Sequence, residues 1–386
     1  MGIFKYKDDP LKHFVRTTAW LPRCQRRLKL VRAKRRKGGA GRRLRYFTFC
    51  AVHAVDVLML DIAKVIRPAD NGDFDTVVFF DRTELDVLET QKCIRGAHGY
   101  PGDFVEIVLA VDPEEAVLMD GLDVLAPPPI EQDNLATRER QRRQASRRDF
   151  IKEFPFDIIN LDLEGYFFRR NDPFPGRMIA SFRKLLDWQK LPINPGASRE
   201  ETLDGFSLMF TTKIGPPDLK EDYLQMLGDA IRTNVDRDPE LGPILERRCG
   251  TVNATTIQAE NFDCFFRIAL PKLIMNLLMD KDWSVDTDTG INLYEIERMP
   301  PGQPSYKMLH VVLDVVRQLP REDHRAPGSG PAVDALNGYK VAARDVFERS
   351  EVRVTIDEID EQRIPISLEK ILARRRKYYP EAEEPE

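Results

Sequence analysis

Residues 155–165 read PFDIINLDLEG. Ile158, Ile159, Leu161 and Leu163 make a short apolar run, and Asn160, Asp162 and Glu164 are threaded through its far end. A run that is apolar on both faces has the composition of a strand buried in a parallel sheet. In an open α/β sheet, ligands bind in the crevice beyond the carboxyl ends of the strands. Acids at the end of such a run therefore mark a candidate ligand edge as well as a fold.

Working outward, the same pattern recurs. YFTFCAV, from Tyr46, is aromatic and β-branched and reads as a first strand; AVDVLMLDIAKVI follows with apolar residues at helical spacing. TVVFFDR (76–82) reads as a second strand and TELDVLETQKCIRG as a helix with Thr83 as N-cap. FVEIVLAVD (104–112) reads as a third strand, and GAHGYPGD (96–103) as the loop before it. FDIINLD (156–162) is the fourth strand, GRMIASFRKLLDWQKL (176–191) an amphipathic helix and GFSLMFTTKI (205–214) a fifth strand. Apolar strands alternating with helices predict an α/β fold: a Rossmann-like, mostly parallel sheet with helices on both faces.

After residue 217 the pattern is mostly helical, with a predicted break near Pro271. NLYEIER (292–298) and YKMLHVVLDVV (306–316) read as an antiparallel hairpin, the second piece also being compatible with a helix. REDHRAPGSGPA (321–332) has linker composition, and VRVTI (352–356) is a last strand. The expected division is a basic N-terminal arm (1–45), a Rossmann-like domain with helical insertions (46–320), and a linker with a small C-terminal appendage (321–386).

The chain has 386 residues and a net charge of -4, with 32% charged residues. No apolar run approaches the roughly 18 residues that span a bilayer. The N-terminus shows no secretory pattern. Five cysteines (Cys24, Cys50, Cys93, Cys249, Cys264) form neither a C-x-x-C pair nor a disulfide ladder, which fits a reducing, cytoplasmic setting. The histidines are scattered, so no zinc site is expected.

The charge is segregated. Between Arg23 and Arg45 there are twelve Lys or Arg and no acid. Arg26, Arg27, Lys34, Arg35, Arg36, Lys37, Arg42 and Arg43 are candidate phosphate contacts for RNA or DNA; the alternative is a solvated charged face. Arg138–Arg148 and Arg374–Lys377 are further basic runs.

The strand ends supply the other candidates. The first ends at Cys50, Ala51, His53 and Asp56; the second at Asp81, placed to accept two ribose hydroxyls or to serve its helix terminus. The third ends near Asp112, which also reads as a turn residue before Pro113. The fourth ends at Asn160, Asp162 and Glu164, the last two being carboxylates that need partners if buried. His53 reads either as a general base or as a group satisfying backbone. Tyr166, Phe167 and Phe168 read as a base-stacking platform or as core.

On YFTFCAVHAVDVLML, VVFFDRTELDVLE, FVEIVLAVD and FDIINLDLEG, the chain resembles class I S-adenosylmethionine-dependent methyltransferases. It is most similar there to RNA methyltransferases of the tRNA guanine dimethyltransferase type. The resemblance covers roughly residues 46–215, and reaches 317 if the hairpin forms. It implies S-adenosylmethionine as cofactor, with Ala51, His53 and Asp56 near its methionine part, Asp81 on the ribose and Asp112 near the adenine. Asp162 would face the methyl-accepting base amine. The loop CAVHA carries no glycine, and Leu163-Glu164-Gly165 stands where the family has a proline and an aromatic. These departures define the alternative: a sheet that has lost catalysis and serves as a nucleic-acid-binding or scaffold subunit with a protein partner in a larger assembly, antiviral systems being one setting.

Overall fold

The computed structural model describes residues 10–36, 42–50, 54–110, 134–168, 176–193, 201–214, 221–250, 259–286, 292–298, 306–318, 344, 346–348, 352–354 and 364–378. The chain opens with helix α1 (Pro10–Val15), a π-helical turn (Arg16–Trp20) and α2 (Leu21–Arg36). Next come β1 (Tyr46–Phe49), α3 (Val55–Ile62), β2 (Val77–Asp81), α4 (Glu84–Cys93), β3 (His98–Pro101), α5 (Phe104–Val108) and α6 (Asn134–Lys152). Then follow β4 (Ile158–Tyr166), α7 (Arg177–Trp188), β5 (Gly205–Lys213), α8 (Glu221–Arg237), α9 (Leu241–Cys249) and α10 (Ala259–Met279). The last elements are β6 (Trp283–Val285), β7 (Asn292–Arg298), β8 (Tyr306–Arg317), β9 (Val352–Val354) and α11 (Leu368–Tyr378).

The strands form one sheet in the order β3-β2-β1-β4-β5-β8-β7-β9, with β6 beside β8. β1 to β5 pair with one another in parallel. β8 runs antiparallel between β5 and β7, so the late hairpin forms and joins the parallel half. This is the Rossmann-like α/β architecture expected from the alternating pattern.

Period-two alternation sends each strand's apolar residues to two cores, one per face. Phe47, Val78, Phe80, Ile159, Leu161 and Phe210 face one core with α5, α6, α7 and α10. Tyr46, Val77, Phe79, Ile158, Met209 and Val312 face the other, covered by α2, α3 and α11. Both faces being covered is why these strands read as unbroken apolar runs.

Three expectations change. FVEIVLAV is not the third strand. Asp103 accepts hydrogen bonds from the backbone N–H groups of Val105 (2.8 Å) and Glu106 (3.4 Å), and so starts helix α5 at Phe104. The strand lies instead in the glycine-rich stretch before it. At Gly99 a Cβ would come within 2.6 Å of the Phe79 ring, so only glycine lets this strand close on β2. Pro271 does not break α10; it sits inside it, with Leu270 and Ile274 fully buried, and core packing outweighs the lost backbone bond. The N-terminal segment is not a free arm: Val15, Ala19, Trp20, Leu21 and Cys24 belong to the second core.

Cys249 and Cys264 form a disulfide between α9 and α10, which the spacing did not suggest; Cys24, Cys50 and Cys93 are buried thiols. Among the described residues no helix is long and apolar enough to cross a membrane.

Candidate functional site

The carboxyl end of β2 places Asp81 half-buried at the sheet edge. One oxygen accepts from the Arg82 backbone N–H (2.8 Å) and the other from the Thr90 hydroxyl (3.3 Å). Burial dominates its titration and pushes the carboxyl up to about 6, with the Asp86 charge adding to it and the Arg82 N–H opposing. Thr83 caps α4 through the Asp86 N–H (3.1 Å), so Asp81 itself is left free of the capping duty.

The end of β1 faces the first turn of α3, where Asp56 is buried. Its Oδ2 accepts from the Tyr46 hydroxyl (2.6 Å) and the Thr48 hydroxyl (2.7 Å). The Asn160 amide lies 3.3 Å from the same oxygen and donates to the two hydroxyl oxygens at 3.1 and 3.2 Å. Burial and the Asp56 charge hold the Tyr46 phenol and the Cys50 thiol in their protonated forms. The Asn160 Oδ1 is buried and, among the described residues, accepts no hydrogen bond. A group with a donor is needed there. Ala54, just before α3, adopts left-handed backbone with φ 46°. The unusual angle that a glycine would normally supply in this loop is thus met by alanine. Ala51 and His53 lie outside the described residues, and Cys50 is buried with its sulfur 4.0 Å from Asp56 Oδ1.

Asp162 does not stand free beyond β4. The strand continues to Tyr166, with Asp162 paired in register to Thr211 and an irregularity before Tyr166. Its Oδ2 binds Lys12 Nζ at 2.6 Å, with Arg16 Nη2 at 3.7 Å, and both cations are themselves buried. The other oxygen, Oδ1, has no hydrogen-bond partner among the described residues. Thr211 meets His310 on the neighbouring strand β8 (2.9 Å), and the Trp20 ring lies tilted beside that imidazole, centroids 6.3 Å apart. For Glu164 only the backbone position in β4 is described. Phe167 and Phe168 are core residues, packed on Phe210 and Tyr223 at 5.2 and 4.5 Å, rather than a stacking platform.

Asp112 lies outside the described residues. Since β3 ends at Pro101, the acid that follows the third strand is Asp103, beside a cleft of about 40 Å³ lined by Gly102, Glu106, Arg142, Arg143 and Ser146. Reading 104–112 as a strand hid it.

The basic run spends much of its charge inside the molecule. Arg42 holds both oxygens of the fully buried Asp157, and Arg27 approaches at 3.8 Å. Arg23 and Arg26 reach Asp314 at 3.2 and 3.6 Å, Arg26 also reaches Asp286 at 2.9 Å, and Arg43 pairs with Asp75. Lys29 and Arg32 are exposed; the side chains of Lys34, Arg35 and Arg36, and all of Lys37, lie outside the description. Among the described residues no group of three or more His, Cys, Asp or Glu is arranged to hold a metal ion.

Sheet, crossover helices and strand-end acids define a Rossmann-like α/β protein. No protein-family model matches the chain, no curated protein is significantly similar to it, and no solved structure matches it.

Proposed function

We propose that the chain is a methyltransferase-like protein that binds S-adenosylmethionine across the ends of β1 and β2 and acts on a base amine of RNA or DNA. The observation that carries this reading is Asp81. It is a half-buried carboxylate at the tip of the second parallel strand that, among the described residues, accepts from one backbone N–H and one hydroxyl, which leaves lone pairs for ribose hydroxyls. The β7–β8 hairpin beside β5 extends the resemblance to residue 317. The unpartnered Asn160 Oδ1 adds an acceptor at the adjoining edge. Positioning an amine in line with the sulfonium supplies much of the rate of such a transfer, so little acid–base machinery is needed. Phosphate contacts fall on the outer face of α2 at Lys29 and Arg32 and on the run that follows.

The second reading, a sheet that no longer catalyses and serves as a nucleic-acid-binding or scaffold subunit, is favoured by one observation: Asp162 is already neutralised by Lys12 and Arg16.

Calorimetric titration of S-adenosylmethionine and S-adenosylhomocysteine into the protein and its Asp81→Ala variant tests the proposal. Micromolar binding, about -8 kcal/mol, that Asp81→Ala abolishes supports it. No binding of either compound to the unmodified protein overturns it in favour of the second reading.

A further inference from the structure

We infer that the amino edge of the parallel sheet, opposite the strand ends that carry Asp81 and Asp162, is a docking face for the phosphodiester backbone of a nucleic acid. It is built from Lys29 and Arg32 of α2, Lys64 and Arg67 beyond α3, and Lys377 of α11. It takes up the α2 contacts of the reading above, but it needs neither cofactor nor catalysis.

These five residues come from three stretches far apart in sequence, and the topology brings them to one edge. Asp157 immediately precedes β4, and Arg27 approaches it at 3.8 Å, so α2 has crossed the sheet to its amino edge before Lys29 and Arg32. α3 runs back from the carboxyl end of β1, which leaves Lys64 and Arg67 at the same edge, ahead of β2. The Tyr378 ring meets that of Phe74, which also precedes β2, at 5.3 Å, and Lys377 arrives beside it. Leu28, Val31, Ile62, Ala63 and Tyr378 pack against one core.

All five cations are exposed, and none has an ion pair among the described residues. The acids of this edge are mostly engaged: Arg374 holds Asp61, Arg95 holds Asp73, Arg43 holds Asp75 and Arg42 holds Asp157, while Asp70 and Asp204 remain exposed. The surplus is positive, and it acts on an anion within a Debye length, about 8–10 Å. Lys64 adds a separate sign. It follows the last turn of α3 with φ 58°, in the left-handed region where glycine or asparagine commonly ends a helix. A lysine keeps its charge there at a steric cost.

α2 packs on β5 and β8, and α11 on α3 and α4. From β5 through β4 and β1 to β2 is three strand spacings. That is about 15 Å, the length of about four base pairs of duplex. Among the described residues Leu30 is the one large apolar side chain exposed on α2, α3 and α11, too little to enter a lipid surface. The partner this fits is a duplex held by its phosphates, without base contacts. Asp162 lies roughly 16 Å further along β4 than Asp157. A duplex on this face is therefore tethered away from the crevice, not threaded through it.

Fluorescence anisotropy with labelled DNA and RNA duplexes of about 20 base pairs, between about 50 and 200 mM salt, tests the face on the full chain. Lys29→Gln/Arg32→Gln, Lys64→Gln/Arg67→Gln and Lys377→Gln are expected to weaken binding several-fold. They should lower the slope of log affinity against log salt by about 2, 2 and 1. Arg138→Gln/Arg148→Gln, exposed on α6 across the sheet, should leave the slope unchanged. That pattern with either duplex supports the face, and the tighter duplex identifies the backbone. Loss from the α2 pair alone, or an equal loss from the α6 pair, overturns it. So does binding to neither duplex, or binding to phosphatidylserine vesicles in their place. Failure of the same preparation to bind S-adenosylhomocysteine overturns the methyltransferase-like reading and leaves the duplex result standing.

Discussion

Arg374 grips both oxygens of Asp61, at 2.6 and 3.1 Å, across 313 positions of sequence, and the Tyr378 hydroxyl adds a third donor at 3.0 Å. Asp61 is buried in α3, the helix that follows the β1 loop. The C-terminal helix α11 is thus fastened to a wall of the candidate site. Arg374→Ala leaves Asp61 buried with Tyr378 as its remaining side-chain donor among the described residues; about 2 kcal/mol of stability is expected to be lost, less than for a fully buried pair because the guanidinium is partly exposed. Denaturant unfolding measures it, and limited proteolysis should cut near residues 364–378 first. An unchanged midpoint would show that α11 is held by its apolar contacts alone.

Asp162→Asn keeps the shape of the side chain and removes the charge that Lys12 and Arg16 share. The buried Lys12 ammonium then loses its carboxylate, and a loss of about 3–5 kcal/mol is expected. Arg43→Ala, which breaks the exposed pair with Asp75, is expected to cost less than about 0.5 kcal/mol. Chemical denaturation of the two variants side by side checks the contrast; equal losses would contradict it.

Asp81 titrates near 6 in the folded chain, against 3.8 for an ordinary aspartate. The folded state therefore holds its proton to higher pH than the unfolded chain does, and ionisation works against folding. Its contribution is most favourable below about pH 4, is lost as pH rises to about 6, and is level above that. Asp81→Asn should remove this fall and unfold at a higher midpoint than the unmodified protein at pH 7. If Asp81 holds the ribose as proposed, it does so as the carboxylate, and S-adenosylhomocysteine affinity should weaken as pH drops through about 6. An Asp81→Asn stability profile parallel to that of the unmodified protein across this window would contradict the assignment.

Gly205 begins β5 against β8. A Cβ there would stand 2.2 Å from the Val315 carbonyl oxygen, a backbone atom that can move only with its strand. Gly205→Ala is expected to cost about 1–3 kcal/mol, as overpacking does. The amide exchange of Val315 and Arg317 should rise with it, whereas a neutral substitution would mean that the two strands part freely at that end.

Ala54 holds φ 46° without the relief a glycine gives. Ala54→Gly removes that steric penalty at the cost of a more flexible unfolded chain, and a net gain of about 0.5 kcal/mol is expected. Thermal unfolding should register the gain; a loss would point instead to packing of the Ala54 methyl, which is fully buried.

The strands that carry the fold were legible because burial on both faces writes itself as an apolar run. β1, β2, β4 and β5 are of this kind, and NLYEIER and YKMLHVVLDVV read as a hairpin with a helix left open for the second piece, which the β7–β8 pairing decides in favour of the strand. The third strand was not legible. His98–Pro101 is four residues long and glycine-containing, and its only apolar side chain of size is Tyr100. The richer FVEIV beside it answered instead to Asp103, a cap whose effect depends on one hydrogen-bonding geometry. At the candidate site, Asp56, Asp81, Asn160 and Asp162 were singled out for their place at strand ends. Their partners were not, because Lys12 and Arg16 arrive from a segment that composition alone marks as an exposed arm. A lysine's charge counts the same in sequence whether it meets solvent or a buried carboxylate. Tyr46 and Thr48 were read as strand formers, and their hydroxyls gained a role only once Asp56 folded back over them.

β5 is enclosed along nearly its whole length, yet the strand that completes it comes late: Ser207 meets Asp314 at a separation of 107 residues. A chain emerging from the ribosome thus makes β4 and β5 well before β8. Until β8 is delivered, one side of an apolar strand offers unpaired backbone groups to any neighbour. The helices α8, α9 and α10 are synthesised in that interval and cannot supply the missing strand. The molecule's most exposed moment to misassembly therefore falls during synthesis, and long-range closure of this kind is slow. A shortened chain ending before Tyr306 inherits that open edge permanently.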